Sequence, residues 1–158
     1  MGAHRIVNRF LVIFLLASSL LALSVATSHQ AASAGTRAKH EAAFVWARAH
    51  AGHPYCWGGS GPSCFDCSGL VMAAYARAGI SLPHNTVAML GSGKLIRERA
   101  RAARRGDLAF YGSGHVELVG RKVGVTFGAA HTGTLIGWHH YSWAGYHPTM
   151  FFRVRGAG

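Results

Sequence analysis

Acidic side chains are scarce in this 158-residue chain, where five Asp and Glu stand against 16 Lys and Arg. So little carboxylate leaves a strongly cationic surface, which attracts polyanions; the plainer reading is charge kept for solubility. Cysteine is also sparse, at three residues, and an odd set leaves one thiol over after any single pairing. Only one pair, Cys64 and Cys67, has two-residue spacing, and a zinc ribbon would need a second. No His-Glu-x-x-His occurs, and His139 and His140 are adjacent, so on a strand they would point apart. Metal and cofactor chemistry is therefore not expected. There is no internal repeat, and the length suits one folded domain.

Long apolar runs are absent too, with one exception at the start. Arg5 and Arg9 form a basic flank, Phe10 to Ala26 is almost wholly apolar, and Ala32-Ser33-Ala34 is a small-x-small site. That order reads as a secretory signal peptide over 1–34, leaving one domain over 35–158. The alternative is an uncleaved anchor, since about 17 apolar residues lies at the lower edge of spanning length. The first cysteine after the run is Cys56, too distant for a lipid-anchoring signal. Two of the 16 basic residues fall in the leader and all five acids lie after it, so the remaining domain carries 14 against 5, or +9. Nucleic acid would suit that charge, but export points to anionic wall polymers or lipid headgroups instead.

Within the domain, Thr36 to His50 is rich in helix formers, with Ala43, Trp46, Ala47 and His50 near one face. Gly52 to Cys64 is dense in Gly, Pro and Ser and reads as loop. From Cys67 to Ala78, Leu70, Val71, Ala74 and Ala78 recur at helical spacing, and Gly79 stands where a helix would stop. A short helix is expected over Thr86 to Leu90, and a solvated turn or helical end over Arg97 to Arg105. The segments Asp107 to Tyr111, His115 to Gly120, Val123 to Ala129, Thr134 to His139 and Thr149 to Val154 are short, aromatic and β-branched. They read as strands of an antiparallel sheet. Helices first and strands afterwards predict an α+β domain.

Cys67 stands apart from its two neighbours because it opens a helix. Unpaired N–H groups and the helix dipole there favour a thiolate, Asp66 can cap the helix, and Ser68 and Gly69 leave the sulfur uncrowded. The economical pairing is a Cys56–Cys64 disulfide with Cys67 free and reactive. A Cys64–Cys67 redox pair is the competing assignment, although a redox motif expects a strand before the helix and a Gly/Pro/Ser loop stands there. Taken alone, a single cysteine is more often a buried structural residue.

The surroundings change that balance. Tyr55-Cys56-Trp57-Gly58-Gly59, Phe65-Asp66-Cys67-Ser68-Gly69-Leu70-Val71, Gly79-Ile80-Ser81-Leu82-Pro83, Gly106-Asp107-Leu108 and Gly114-His115-Val116 occur in that order. Together they resemble the NlpC-type cysteine peptidases, from about Ala43 to Val154. The resemblance implies a compact papain-like domain, its N-terminal helices packed on an antiparallel sheet, without cofactor or metal. It implies Cys67 as nucleophile, His115 as the base that takes the thiol proton, and Tyr55 beside the nucleophile. Tyr55, Trp57, Asp66 and Ser68 are then candidates for substrate contacts. Cys–His chemistry of this kind activates the thiol and later protonates the leaving amine.

The resemblance also expects a polar residue on the following strand to orient the base. Direct spacing lands instead on Phe127 or Gly128, neither of which can orient an imidazole. His131 is the nearest candidate after a small shift of register; His139, a backbone carbonyl or water are the alternatives. The expected activity is hydrolysis of peptide bonds in peptidoglycan stem peptides by a secreted, wall-associated monomer. Amidase or acyltransferase chemistry, or a wall-adhering protein or toxin of the same fold, are the competing readings.

Overall fold

The computed structural model describes residue 30 and residues 34–121, 124–142 and 145–156. The chain divides into two units, Met1–Gly35 and Thr36–Gly158, and the second carries the sheet. The expected leader over 1–34 lies, apart from residues 30 and 34, outside the described residues.

Helix α1 covers 34–48. His40, Ala43, Phe44 and Ala47 recur at i, i+3, i+4 and i+7, and all four are buried, so one stripe of the helix faces the core. Helix α2, Cys67–Arg77, buries Leu70, Val71, Ala74 and Tyr75 in the same pattern. It starts at Asp66, whose extended backbone and side-chain bond to the Gly69 N–H make a standard N-cap. It stops at Gly79, where φ is +77°. There the Ile80 N–H reaches the Tyr75 carbonyl at 2.9 Å and the Gly79 N–H reaches Ala76 at 3.0 Å. These paired bonds are the glycine-closed terminus that satisfies the last carbonyls, with Ile80 buried behind it. Helix α3, Thr86–Gly91, is capped by the Asn85 side chain.

Six strands form one antiparallel sheet: β1 Leu95–Glu98, β2 Leu108–Tyr111, β3 His115–Val119, β4 Val125–Gly128, β5 Gly137–His140 and β6 Met150–Val154. Their order is β1-β6-β2-β3-β4-β5. Five strands fall where the sequence pattern expects them, though shorter, and residue 123 lies outside the described residues. β1 corrects the expectation of a turn over Arg97 to Arg105: Leu95–Glu98 pairs with β6, and only Ala100–Ala102 forms a short 3-10 turn. It is an edge strand of four residues in which Ile96 and Arg97 are exposed and the Glu98 side chain is turned in, so it lacks the alternating apolar signal of a half-buried strand.

Phe44, Leu70, Val71, Ala74 and Tyr75 from the helices share one core with Leu108, Phe110, Val116, Leu118 and Phe127 from the sheet. Each large apolar side chain buried this way contributes about 1.5–3 kcal/mol relative to exposure. Two polar ties fix the helices in place. The buried Tyr75 hydroxyl donates to the Gly106 carbonyl at 2.7 Å. His40 bridges Asp107 Oδ1 at 3.0 Å and the Val154 carbonyl at 2.9 Å. These ties join the C-terminal end of α2 and helix α1 to the chain entering β2 and to β6.

Candidate active site

Cys56 and Cys64 are joined as a disulfide, and Cys67 is a free thiol. The disulfide closes a loop that folds back onto the start of α2. Within it Gly59 accepts the Asp66 N–H at 2.8 Å, and the Gly58 N–H donates to Asp66 Oδ2 at 3.0 Å. Asp66 also accepts from the Gly69 N–H at 2.6 Å and the Ser68 hydroxyl at 3.0 Å. His84 Nε2 lies 3.1 and 3.0 Å from its two oxygens. Asp66 is thus a hub that ties the disulfide loop, the α2 N-terminus and His84 together. Gly69 is required here by space: a Cβ on it would run into the Gly59 carbonyl and the His84 ring.

Cys67 sits at the first position of α2, 8% exposed. The first N–H groups of a helix have no intrahelical acceptor, so the sulfur lies where the backbone favours negative charge. His115 is the first residue of β3, set there by the three-residue Gly112-Ser113-Gly114 turn that pairs Tyr111 with His115. Its ring is hydrogen-bonded to Glu117, and the Cys67 thiol is near enough to act on its charge. Burial would lower its pKa, but Cys67 and Glu117 outweigh it and push it up to about 9. The Tyr111 ring lies 5.3 Å from the imidazole and is stacked in turn on Tyr146 at 4.7 Å.

Glu117, two residues along β3, points to the same face as His115 and is 2% exposed. Its Oε1 lies 3.0 Å from His115 Nε2 and 2.7 Å from His139 Nδ1, the latter in ion-pair range but off the line of a hydrogen bond. Burial would raise this carboxyl, yet the bond to His115 and the adjacent His139 ring hold it down at about 2.

The remaining expected residues divide. Tyr55 is half-buried: burial and then the charges of Cys67 and Asp66 raise its phenol, which stays protonated. Trp57 stands on the disulfide loop at 88% exposure. His131 is elsewhere, exposed in the turn before β5, with its Nδ1 on the Thr132 carbonyl at 2.9 Å. The structure does not bring it to His115, since the turn lies past the end of β4 and its ring is tied to its own backbone. Three residues at the site escaped the sequence reading: Glu117, His84 and Tyr146. Glu117 did leave a signal, as a charged residue inside the otherwise apolar run Val116 to Val119.

The fold defines a compact papain-like domain with a thiol and an imidazole at its centre. The NlpC/P60 family model matches residues 52–132, just over half of the chain, and the chain belongs to that family. Over 80 residues it is 48% identical to the probable endopeptidase p60 of Listeria monocytogenes, covering 49% of this chain and 16% of that protein. Over 90 residues it is 40% identical to the bifunctional muramidase/DL-endopeptidase CwlT of Bacillus subtilis, covering 56% of this chain and 27% of that protein. The matches therefore span less than a third of these curated relatives. Among solved structures, the peptidoglycan hydrolase RipB of Mycobacterium tuberculosis superposes with a TM-score of 0.66 at 28% identity, over 78% of this chain and 68% of that one.

Proposed function

We propose that this chain is an exported cysteine peptidase that hydrolyses peptide bonds in peptidoglycan stem peptides. The observation that carries the reading is a free thiol at the N-terminus of α2, close enough to a half-buried imidazole for the two to act on one another's charge. The family and the endopeptidase names of the relatives support the same substrate. The apolar segment Phe10 to Ala26 supports export.

In this mechanism Cys67 and His115 form a thiolate–imidazolium pair. The sulfur attacks the scissile carbonyl carbon, and the oxygen takes up the negative charge against the free N–H groups of α2 and the Tyr55 hydroxyl. As the C–N bond breaks, His115 gives its proton to the leaving amine and a thioester remains on Cys67. Water then attacks the thioester, His115 accepts its proton, and the acid product leaves with the thiolate restored. Trp57, Asp66 and Ser68 border this path. Cys67→Ala and His115→Ala should each abolish release of cleaved muropeptides, read by mass spectrometry, while the melting curve persists. Undiminished cleavage by folded Cys67→Ala protein would refute the reading.

Adhesion to anionic wall polymers rests on a separate observation. All five carboxylates are engaged: Glu41 with Arg105, Asp66 with His84, Glu98 with Arg153, Asp107 with His40, and Glu117 with His115. Arg97, Arg99, Arg101 and Arg104 are exposed along β1 and the turn after it, with no carboxylate paired to them among the described residues. They form the contact surface for phosphate-rich polymer, which the protein binds as a monomer.

A further inference from the structure

We infer that Glu117 is the residue that orients His115, so that the third member of the catalytic set comes from the base's own strand, with Gly128 on β4 as the opening that admits it. This rests on the Cys–His reading above.

Four observations carry it. Residues 115 and 117 share one face of β3, and the Glu117 Oε1 to His115 Nε2 distance is 3.0 Å. A carboxylate only accepts, so Nε2 must carry the hydrogen of a neutral His115, which leaves the lone pair on Nδ1. That tautomer lets Nδ1 receive the thiol proton. Second, Glu117 is buried, and among the described residues its ion pairs are with His115 and His139 and with no Lys or Arg. A buried carboxylate is costly unless matched to a cation, so the site is built for an imidazolium at His115.

Third, β4 makes way. A Cβ added at Gly128 would lie 2.7 Å from Glu117 Cγ and 3.1 Å from its Cβ and Cδ. Any larger side chain at that point of β4 would occupy the space that Glu117 fills. Gly128 is not in a left-handed conformation, so its backbone gives no reason for glycine; the Glu117 side chain does. Fourth, His131 does not reach the base, and His139 reaches only the far side of the same carboxylate oxygen. His139 thus pairs with Glu117 and not with His115.

The groups around His115 are few: Cys67 from α2, Tyr111 from β2, Glu117 from β3, and Tyr146 from the loop before β6, with Thr126 of β4 and His139 of β5 behind the carboxylate. Removing the Glu117 charge makes the imidazolium less favourable. At intermediate pH the ion pair then gives way in part to neutral thiol and imidazole, and the imidazolium loses its proton earlier as pH rises.

The test is the pH profile of Cys67 alkylation by iodoacetamide in the folded full-length chain, for wild type, Glu117→Gln and His115→Ala. In Glu117→Gln the main rise in alkylation should move up toward the ordinary thiol range by about one unit or more, which lowers the alkylation rate near neutral pH roughly tenfold per unit. On a peptide substrate kcat should fall by about two orders of magnitude, while KM changes by less than about threefold. A residue that served only to fill the core would alter the melting temperature and leave the midpoint unmoved. If His115→Ala leaves alkylation unchanged, the Cys–His reading itself fails. If His115→Ala shifts the profile and Glu117→Gln does not, this proposal alone fails. Should Glu117→Gln fold poorly, Gly128→Ala keeps every charge and only crowds the carboxylate. It must reproduce the shift in weaker form, and a wild-type profile in that variant overturns the proposal.

Discussion

Replacing Cys56 and Cys64 together by serine isolates what the disulfide loop contributes. The bridge spans a sequence separation of 8. Chain-entropy arithmetic for a loop that short gives about 2.5 kcal/mol of stabilisation through the unfolded state. The folded side adds less. The Asp66 N–H bond to Gly59 and the Gly58 N–H bond to Asp66 hold the cap of α2, and a cap is worth about 1 kcal/mol. Loosening the loop weakens those bonds without abolishing them. For a domain of this size 1 kcal/mol moves the melting temperature by about 3–6 °C, so the double variant should melt roughly 8–15 °C lower. Circular dichroism melts of wild type and variant, both without reductant, read that number. The loop also fixes the start of α2, so iodoacetamide should label Cys67 more slowly below pH 7 in the variant than in wild type. A fall in melting temperature below about 3 °C, with unchanged labelling, would show that the loop holds its position without the bridge, and the argument from Asp66 would fail.

Other expectations follow from the same contacts. Gly69→Ala should cost more than an ordinary helix substitution and slow any turnover sharply, because its methyl meets the Gly59 carbonyl; a melt and a rate within error of wild type would count against that contact. Tyr75→Phe should lower stability by about 1–2 kcal/mol in urea unfolding, since the Gly106 carbonyl is left unsatisfied in a buried place; no change would mean that water replaces the hydroxyl. His115, held near 9 against an ordinary 6.5, contributes stability that is complete below pH 6.5 and lost as pH rises through 9. Glu117, held near 2 against 4.5, contributes stability that is present above pH 4.5 and lost as pH falls through 2. The two shifts share one bond and count once, on the order of 3 kcal/mol. Melting temperature should therefore be flat from pH 4.5 to 6.5 and decline toward pH 9.5 in wild type but not in His115→Gln, and equal declines would refute the assignment. Binding to isolated walls should weaken as salt rises and in Arg97→Glu/Arg99→Glu/Arg101→Glu, and salt-independent binding would leave those arginines as plain solvated surface.

The two halves of the site were not equally legible in the sequence. The nucleophile side is local: cap, thiol, small residues and helix stripe occupy consecutive positions from Asp66 onward, and Cys56 and Cys64 lie just before them. Local order of that kind survives translation into structure because a helix fixes its own spacing. His115 was legible for the same reason, since a glycine-bounded turn sets it at the start of a strand. The orienting residue was not. Its identity depends on how β3, β4 and β5 align, and sequence spacing says little about pairing register. Counting forward led to Phe127 and Gly128 and then to His131, whereas the carboxylate stood two residues after His115 throughout. Strand β1 was lost to the opposite bias, because arginines in an edge strand read as turn.

The shortage of acids, first visible as bulk charge, has a structural meaning that composition alone cannot express. Each of the five carboxylates has a fixed partner, Glu41 with Arg105 at the surface and the other four inside, and three of them face histidine: Asp66 with His84, Asp107 with His40, and Glu117 with His115 and His139. Asp107 and Asp66 act as struts that join α1 to the sheet and the disulfide loop to α2. Glu117 alone stands against the residue that lies beside the free thiol. No acid is left over to offset the arginines of β1 and its following turn, so the outward charge follows from how the inner carboxylates are used. Adding surface acids should therefore change adhesion and leave the site alone, whereas removing any of the three histidine-paired acids should strike the fold or the chemistry first. The charge seen from outside and the acid–imidazole pairs within are two consequences of one allocation of five side chains.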